Sequence, residues 1–442
     1  MNELEIIIDS LSITGHGIAQ HSKLGTLYVL GAFPGDEIKV KIYKKIHDIS
    51  YAQIVLFTTY SQLRESKPTK IPFFSANTPW QHLSIAAENE FKQSFVSSLY
   101  KKYTKNLVLN NRVELPSTGY RNKVAYSFMT TKKETLCFAL YSRGIGGSRK
   151  KPQEENILVH PLLEKVGKQF LHFFNQKQIK QEDLKYLNLR YSYVENKVVA
   201  QILVPETSRK KLSFKKSELD TFISNSTDLK GILVSHSEPF TRSSATTKDF
   251  YEIGDIVISE ELLDKTYLYH PSLFFQIYPK AFSEILIDIK EQVLAIPNHK
   301  DIPVLDMFAG VGVIGIEIAD SVSFVTGIEL STLSKEYALR NARLNNISNF
   351  DFIESSVDDI LEHIRSQHIL IVDPTRAGLS KGMVEKIKEQ NPQYIFYISC
   401  NPETQYRDVE LIIEFYEITY IKTYNIFPKT HHTESMVILK RK

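Results

Sequence analysis

The chain has 442 residues, 42% of them hydrophobic and 24% charged, the composition of a globular protein long enough for two or three domains. Lys+Arg 54 against Asp+Glu 51 leaves a net +3, too mild to demand nucleic acid, and two cysteines, Cys137 and Cys400, exclude a disulfide framework and a cysteine-built metal site. No apolar run approaches the roughly 18 residues of a membrane-spanning helix, and the acidic, alternating start MNELEIIIDSLSITGHG resembles no targeting segment, so no membrane partner is expected and the cytoplasm is the default address.

The first 60 residues read as short strands punctuated by turns: LEIIID, GTLYVLGAF, then Pro34-Gly35-Asp36 before EIKVKIYKK and YAQIVLF. This pattern predicts a small antiparallel barrel, with Gly17, Gly25, Gly31 and Gly35 as turn glycines. SQLRESKPTKIPFFSANTPW has no period and reads as a linker. AAENEFKQSFVSSLYKKY has helical spacing, with Phe91, Phe95, Val96 and Leu99 on one side. From about 119 to 265, runs such as KVAYSFMTT, LCFALYS and LRYSYVENKVVAQILV follow one another with little helix between, predicting a mainly antiparallel α+β domain. Basic clusters punctuate it at Arg149, Lys150 and Lys151, and at Arg209, Lys210, Lys211, Lys215 and Lys216.

From about 280 strands and helices alternate: AFSEILIDIKEQVLA, PVLDMF, VGVIGIEIAD, SFVTGIEL, SKEYALRNARLNN, HILIVD, YIFYIS. That alternation predicts an α/β Rossmann-like domain with a doubly wound, mostly parallel sheet. DMFAGVG lies where a strand turns into a helix, and Glu329 ends the next strand, placed for ribose hydroxyls. The run GVGVIG also fits a dinucleotide enzyme, so the glycines alone leave the cofactor open. Asp373 and Cys400 each follow a buried strand, and Glu434 precedes the last one. A thiol, two carboxylates and a cofactor loop therefore converge on one sheet edge. Singly, Cys400 reads as a small buried hydrophobe and Glu434 as a solvated charge; His431 and His432 lack a third ligand for metal and read as surface or RNA contacts.

Together these segments resemble the RNA uracil-5-methyltransferase family: DMFAGVG matches its D-L-[FY]-x-G-x-G loop, DPTRAGLS its D-P-P-R-x-G-L, ISCNPETQYRD its S-C-N-P-x-T-x-x-R-D, and FPKTHHTE its F-P-x-T-x-H-x-E. YHPSLFFQIYPKAF is similar to the S-F-F-Q-x-N segment, TGYRNKVAYS to the central domain, and GHGIAQ, FPGDEIKVKI and SQLRESKP to the RNA-binding TRAM barrel of members acting on large ribosomal RNA. The resemblance implies three domains: 1–60 a TRAM-like (OB-like) barrel, 61–265 an RNA-recognition domain, and 266–442 an S-adenosylmethionine-dependent methyltransferase domain. It implies Cys400 as the nucleophile adding to carbon 6 of uracil, Glu434 as the base removing the proton from carbon 5, and Gln276, Phe308, Glu329 and Asp373 as residues binding S-adenosylmethionine. Carbon 5 needs such help, being a poor nucleophile until a thiolate adds beside it.

Many relatives carry four cysteines for an iron–sulfur cluster; here the corresponding stretch is IPFFSANTPWQHL, with His160 near the late position, so no cluster is expected. Thr375, Tyr278 and Val313 stand where the family usually has proline, asparagine and asparagine. The expected partner is structured RNA bound by a monomer, with 23S ribosomal RNA ahead of the tRNA T-loop uridine. Outside this class, a catalytically silent RNA-binding assembly factor would lack a use for Cys400 and Glu434, and a small-molecule dehydrogenase would explain neither Cys400 nor the barrel.

Overall fold

The computed structural model describes residues 3–68, 78–103, 115–142, 149–153, 156–205, 214–237 and 248–442. Phe73, Phe74 and the basic residues Arg209, Lys210 and Lys211 lie outside them. Among the described residues no helix is long and apolar enough to cross a membrane.

Six strands open the chain: β1 (Leu4–Ile7), β2 (Ser10–Leu11), β3 (His16–His21), β4 (Gly25–Leu30), β5 (Glu37–Ile46) and β6 (Ile49–Thr59). They form one sheet in the order β1-β5-β6-β4-β3-β2. Alternate side chains, among them Ala19, Leu27, Val29, Val40 and Ile54, fill its core. Two expectations are corrected. The pair β4–β6 is parallel, because β5 intervenes between them in sequence but pairs on the other side of β6. Gly17 sits inside β3 and not in a turn: a Cβ there would lie 2.6 Å from the Ala32 carbonyl oxygen, so only glycine allows that approach. The sheet also reaches past its last strand, since Asp36 accepts from Ser61 N (2.8 Å) and from Arg64 Nε (2.8 Å) and Nη2 (2.6 Å).

Helix α1 (Ile85–Tyr100), capped by Ser84, follows. Its buried residues are Glu88, Lys92, Val96 and Tyr100, so the apolar face read from the sequence is corrected: Phe91 and Phe95 stay half-open while two charges go inside.

The middle of the chain holds β7 (Lys123–Thr130), β8 (Leu136–Ser142), β9 (Arg149–Pro152), α2 (Pro161–Gln176), β10 (Tyr186–Ser192), β11 (Lys197–Pro205), α3 (Lys216–Ser224), β12 (Leu229–Ser237) and β13 (Lys248–Gly254). These strands make a seven-stranded sheet, β13-β12-β11-β10-β7-β8-β9, antiparallel except where α3 carries the chain from β11 to a parallel β12. The scarcity of helix expected here is corrected by α2, whose Leu163, Val166, Phe170 and Phe174 recur at helical spacing and seal one face. His160 caps that helix, accepting from Leu162 N at 3.3 Å, and stacks on Tyr191 with ring centroids 3.8 Å apart. Arg149, Lys150 and Lys151 lie on the edge strand β9.

A hairpin, β14 (Ile258–Leu262) and β15 (Lys265–Tyr269), leads into the last unit. There α4 (Pro279–Leu294), β16 (Pro303–Met307), α5 (Val313–Ile318), β17 (Phe324–Glu329), α6 (Thr332–Leu344), β18 (Phe350–Glu354), β19 (Ile369–Val372), α7 (Lys381–Gln390), β20 (Tyr394–Ser399), α8 (Pro402–Ile412), β21 (Tyr416–Tyr424) and β22 (Glu434–Arg441) alternate. The sheet order is β18-β17-β16-β19-β20-β22-β21; the first five strands are parallel and β22 runs antiparallel to both neighbours. One face packs on α4, α5, α6 and the hairpin, the other on α7, α8 and the inner residues Val96 and Tyr100 of α1.

Candidate active site

Register builds the site. Ile328, Met307, Val372 and Tyr397 stand side by side in four adjacent parallel strands. The next residue of the first three is Glu329, Phe308 and Asp373, so these share one row at the carboxyl edge, where α/β sheets hold ligands. On the antiparallel side Ser399 pairs with Ser435, and one step beyond, Cys400 faces Glu434 across the end of β20 and β22. Gln276 stands in the loop entering α4, half-buried between the exposed Phe274 and the buried Tyr278. Sequence reasoning thus placed two groups that the register brings to one edge.

The loop after β16 turns tightly, with Phe308 at φ 72°, Gly310 at 55° and Gly312 at 84°. Ala309 N donates to the Ile328 carbonyl at 2.9 Å, tying the loop to β17. Asp306, fully buried, accepts from Gly315 N at 3.0 Å and so fastens the start of α5. A side chain on Gly310 would meet nothing within 4 Å, so the loop faces open space. Tyr278 caps α4, with its hydroxyl donating to the Pro116 carbonyl at 2.9 Å and its ring stacked on Tyr120.

The acidic groups strain against each other. Burial pushes Asp306 up to about 7, with Asp373 and Glu329 adding to it, and burial pushes Asp373 up to about 7 as well. Glu434, 5% exposed, is held well above the usual carboxylate range by burial and then by Asp373, against the pull of Arg376. The Cys400 thiol is raised to about 11, first by burial and then by Glu434 and Asp373, with Arg376 opposing them.

Arg376 is a site residue that sequence reasoning passed over, although it lies within DPTRAGLS. Its carbonyl is gripped by Asn401 Nδ2 (3.1 Å) and Thr404 Oγ1 (3.2 Å), and its guanidinium meets the His432 ring at 3.1 Å. Burial is the first cause holding His431 down to about 4 and His432 down to about 3, so both rings are neutral at physiological pH. Both are half-buried, and with Cys400 and Arg376 they line a cleft of about 170 Å³. The same cleft is also lined by Phe91 and Phe95 of α1 and by Ile13, between β2 and β3. The aromatic pair was visible in the sequence at spacing i, i+4; nothing there pointed to Ile13. Cys137 lies on β8, far along the chain from this edge, and among the described residues no group of three His, Cys, Asp or Glu could hold a metal ion.

Residues 261–442 match the sequence model of the tRNA (uracil-5-)-methyltransferase family. An uncharacterised RNA methyltransferase of Clostridium tetani is 28% identical over 100% of this chain and 98% of its own length. Another from Synechocystis is 26% identical over 99% and 95%. A crystal structure of the Pyrococcus abyssi tRNA (uracil-54, C5)-methyltransferase in complex with S-adenosyl-L-homocysteine superposes with a TM-score of 0.77 at 23% identity, covering 99% of this chain and 100% of that one. A thiol and a carboxylate at the end of a Rossmann-like sheet agree with that match: the last unit is similar to the tRNA (uracil-5-)-methyltransferase family, and the chain over its whole length to RNA methyltransferases.

Proposed function

We propose that this protein transfers a methyl group from S-adenosylmethionine to carbon 5 of a uridine in structured RNA, with Cys400 as nucleophile and Glu434 as base. The observation that carries the reading is the register at the end of β20 and β22, which sets Cys400 opposite Glu434 beside a cleft able to take a base. S-adenosylmethionine, when bound, supplies an electrophilic methyl on a positively charged sulfur. The donor set suits it: Asp306, Asp373 and Glu434 are enclosed with one arginine among them, a surplus of negative charge that a cation relieves. Glu329 and Phe308 would hold the nucleoside end beside the open loop at Gly310, and Asp373 and Gln276 the reacting end.

The chain's own steps balance as follows. The Cys400 thiol gives up its proton to water, its sulfur bonds carbon 6, and the electron pair of the double bond moves to carbon 5 and the ring carbonyl. After carbon 5 is methylated, the Glu434 carboxylate takes its proton; the double bond re-forms and the carbon–sulfur bond breaks, returning the thiolate. A carboxyl held high is the stronger base for that removal. Arg376 stabilises the thiolate and keeps the neutral His432 against the cleft.

Residues 1–60 serve, in this reading, as a TRAM-like RNA-binding module and 61–265 as the recognition domain before the methyltransferase domain 266–442. Support for the module comes from its outer face, where His16 stacks on Tyr28 (5.6 Å) and Tyr51 packs edge-on to Tyr28 (5.7 Å), with Tyr43 6.5 Å from Tyr51. Lys41 and Lys45 flank Tyr43, and aromatic faces beside cations suit unpaired bases. A three-part fold of this kind also belongs to the tRNA enzyme of Pyrococcus abyssi, so the module does not separate ribosomal from transfer RNA as substrate. Ribosomal RNA is the first to test, the T-loop uridine the second. The experiment is twofold: RNA carrying 5-fluorouridine should trap the wild type covalently and leave Cys400→Ser free, and 5-methyluridine mapping with and without the gene identifies the target. An equal adduct with the serine variant would refute Cys400 as nucleophile.

A further inference from the structure

Helix α1 buries two charges that the reaction does not use, and both point at the segment carrying Glu434. Glu88 is 0% and Lys92 1% exposed. Lys92 Nζ donates to Glu88 Oε1 (2.7 Å), to Asn425 Oδ1 (2.7 Å) and to the Phe427 carbonyl (3.3 Å). Asn425 Nδ2 also donates to Glu88 Oε1 at 3.0 Å. The other carboxylate oxygen, Oε2, accepts from the backbone N–H of Lys429 at 2.9 Å.

Lys429 is itself 0% exposed and sits at φ 64°, a left-handed conformation that a side chain adopts only when its surroundings impose it. Its ammonium donates to the Leu83 carbonyl (2.7 Å) and pairs with Glu65 (2.6 Å), while its own carbonyl accepts from Trp80 N at 3.4 Å. Residues 425–429 are therefore held by Glu65, Trp80, Leu83, Glu88 and Lys92. They cannot rotate without leaving a buried charge unpaired, which is costly in a low dielectric. Five residues after Lys429 comes Glu434, and between them His431 and His432 line the cleft.

The same helix presents Phe91 and Phe95 to that cleft. One rigid rod thus sets part of the lining of the base pocket and, through Glu88 and Lys92, the strand entry that carries the base. We infer that Glu88, Lys92 and Lys429 are positioning residues that fix where the Glu434 carboxylate stands relative to carbon 5 of a uracil already bonded to Cys400. This inference rests on the roles proposed above for Cys400 and Glu434. Its signature is a split between two chemical steps. Cys400 adds from just past the end of β20, a different strand from the 425–434 segment, so displacing that segment should slow elimination more than addition: in elimination Glu434 must reach the proton whose removal re-forms the double bond and expels the thiolate.

The test uses the full chain with substrate RNA containing ordinary uridine and S-adenosylmethionine. Lys92→Met, and Glu88→Gln/Lys92→Met, which leaves no unpaired charge behind, are run beside the wild type on denaturing gels. Both variants should accumulate a methylated, covalent protein–RNA adduct, as Glu434→Gln should, with kcat down by about 100-fold for a displacement of about 1 Å. KM for RNA should change far less than kcat, because the RNA-contacting face proposed on the N-terminal sheet is unchanged. Normal turnover without adduct in the double variant overturns the inference. So does a loss of turnover that merely tracks loss of folded protein, with adduct formation and release falling together. Failure of the wild type to trap on 5-fluorouridine RNA would instead strike at the Cys400 reading itself, which keeps the two failures distinct.

Discussion

Cys400 should be an unusually reluctant thiol in the absence of ligands, and its titration can be read directly by alkylation. An ordinary cysteine at 9.0 is about one-tenth thiolate at pH 8, whereas one raised to about 11 is about one-thousandth. The more basic thiolate is the better nucleophile, which recovers roughly a factor of ten, so alkylation at pH 8 should run about tenfold below a free thiol. The shape decides more than the magnitude: the rate should climb about tenfold per pH unit through pH 10 without levelling. Iodoacetamide labelling, with Cys137 removed as Cys137→Ala and the product quantified by mass spectrometry, gives the curve. Glu434→Gln deletes the largest charge contribution opposing the thiolate and should move the curve to lower pH. Arg376→Gln deletes the favourable one and should move it higher. A wild-type curve that levels off near pH 8.5, or two variants that shift in the same direction, would refute this electrostatic account.

Trp80→Ala should cost about 3–5 kcal/mol, measured by urea unfolding, because Trp80 is 0% exposed among Leu11, Phe33 and Leu83, with Phe91 edge-on at 5.3 Å. A loss within error of zero would mean that its neighbours close over the gap. Tyr28→Ala and Tyr51→Ala should each weaken RNA binding by about 1–3 kcal/mol in anisotropy titrations while leaving kcat at saturating RNA unchanged; unaltered affinity would remove this face from the interface. Asp306 binds its proton more tightly folded than unfolded, being raised from 3.8 to about 7, so its contribution to stability is complete below about pH 4 and lost as pH rises through about 7. Asp306→Asn can still accept from Gly315 N and does not titrate, so its melting temperature relative to wild type should rise between pH 5 and pH 8. A difference independent of pH would show that the carboxyl is not held high.

Much of the methyltransferase half was legible because its chemistry and its periodicity coincide. HILIVD and YIFYIS are continuous apolar runs, which only strands buried on both faces need, and a polar residue immediately after such a run lands at a sheet edge. Asp373 and Cys400 were located that way. Helix α1 was read only in part, with Val96 inside as expected but its two buried charges missed, for the opposite reason. Burying Glu88 and Lys92 is tolerable only because Asn425 and Lys429 are there to meet them, and Asn425 lies 333 residues beyond Lys92 in the chain. A window of sequence carries no trace of a partner so distant. Gly17 hid its role similarly, since the crowding that demands glycine comes from Ala32 in a neighbouring segment. Arg376 was in plain view in a quoted motif, yet its importance depends on Cys400 from one place in the chain and His432 and Glu434 from another.

The cleft beside Cys400 draws its walls from three distant parts of the chain, and that changes what the N-terminal sheet is for. Ile13 belongs to the turn between β2 and β3, Phe91 and Phe95 to α1, and the reactive edge to the strand ends of the last unit. The turn is held close: a Cβ on Gly15 would come within 2.9 Å of Pro79 and 3.1 Å of His431. Contact at that distance leaves no room for water or for independent swinging of the sheet about a linker. The linker is pinned near its start, by Arg64 on Asp36 and by Glu65 on Lys429, and at its end by Trp80 N donating to the Lys429 carbonyl. A tethered module would add affinity for RNA and leave the chemistry of the bound base alone. On the function proposed above, this one lines the space in which a base taken out of its stack is held, so losing it should lower the rate at saturating RNA and not only the affinity. The aromatic face of the sheet and the thiol edge are in this sense two ends of one surface, joined at the turn that carries Ile13 and Gly15.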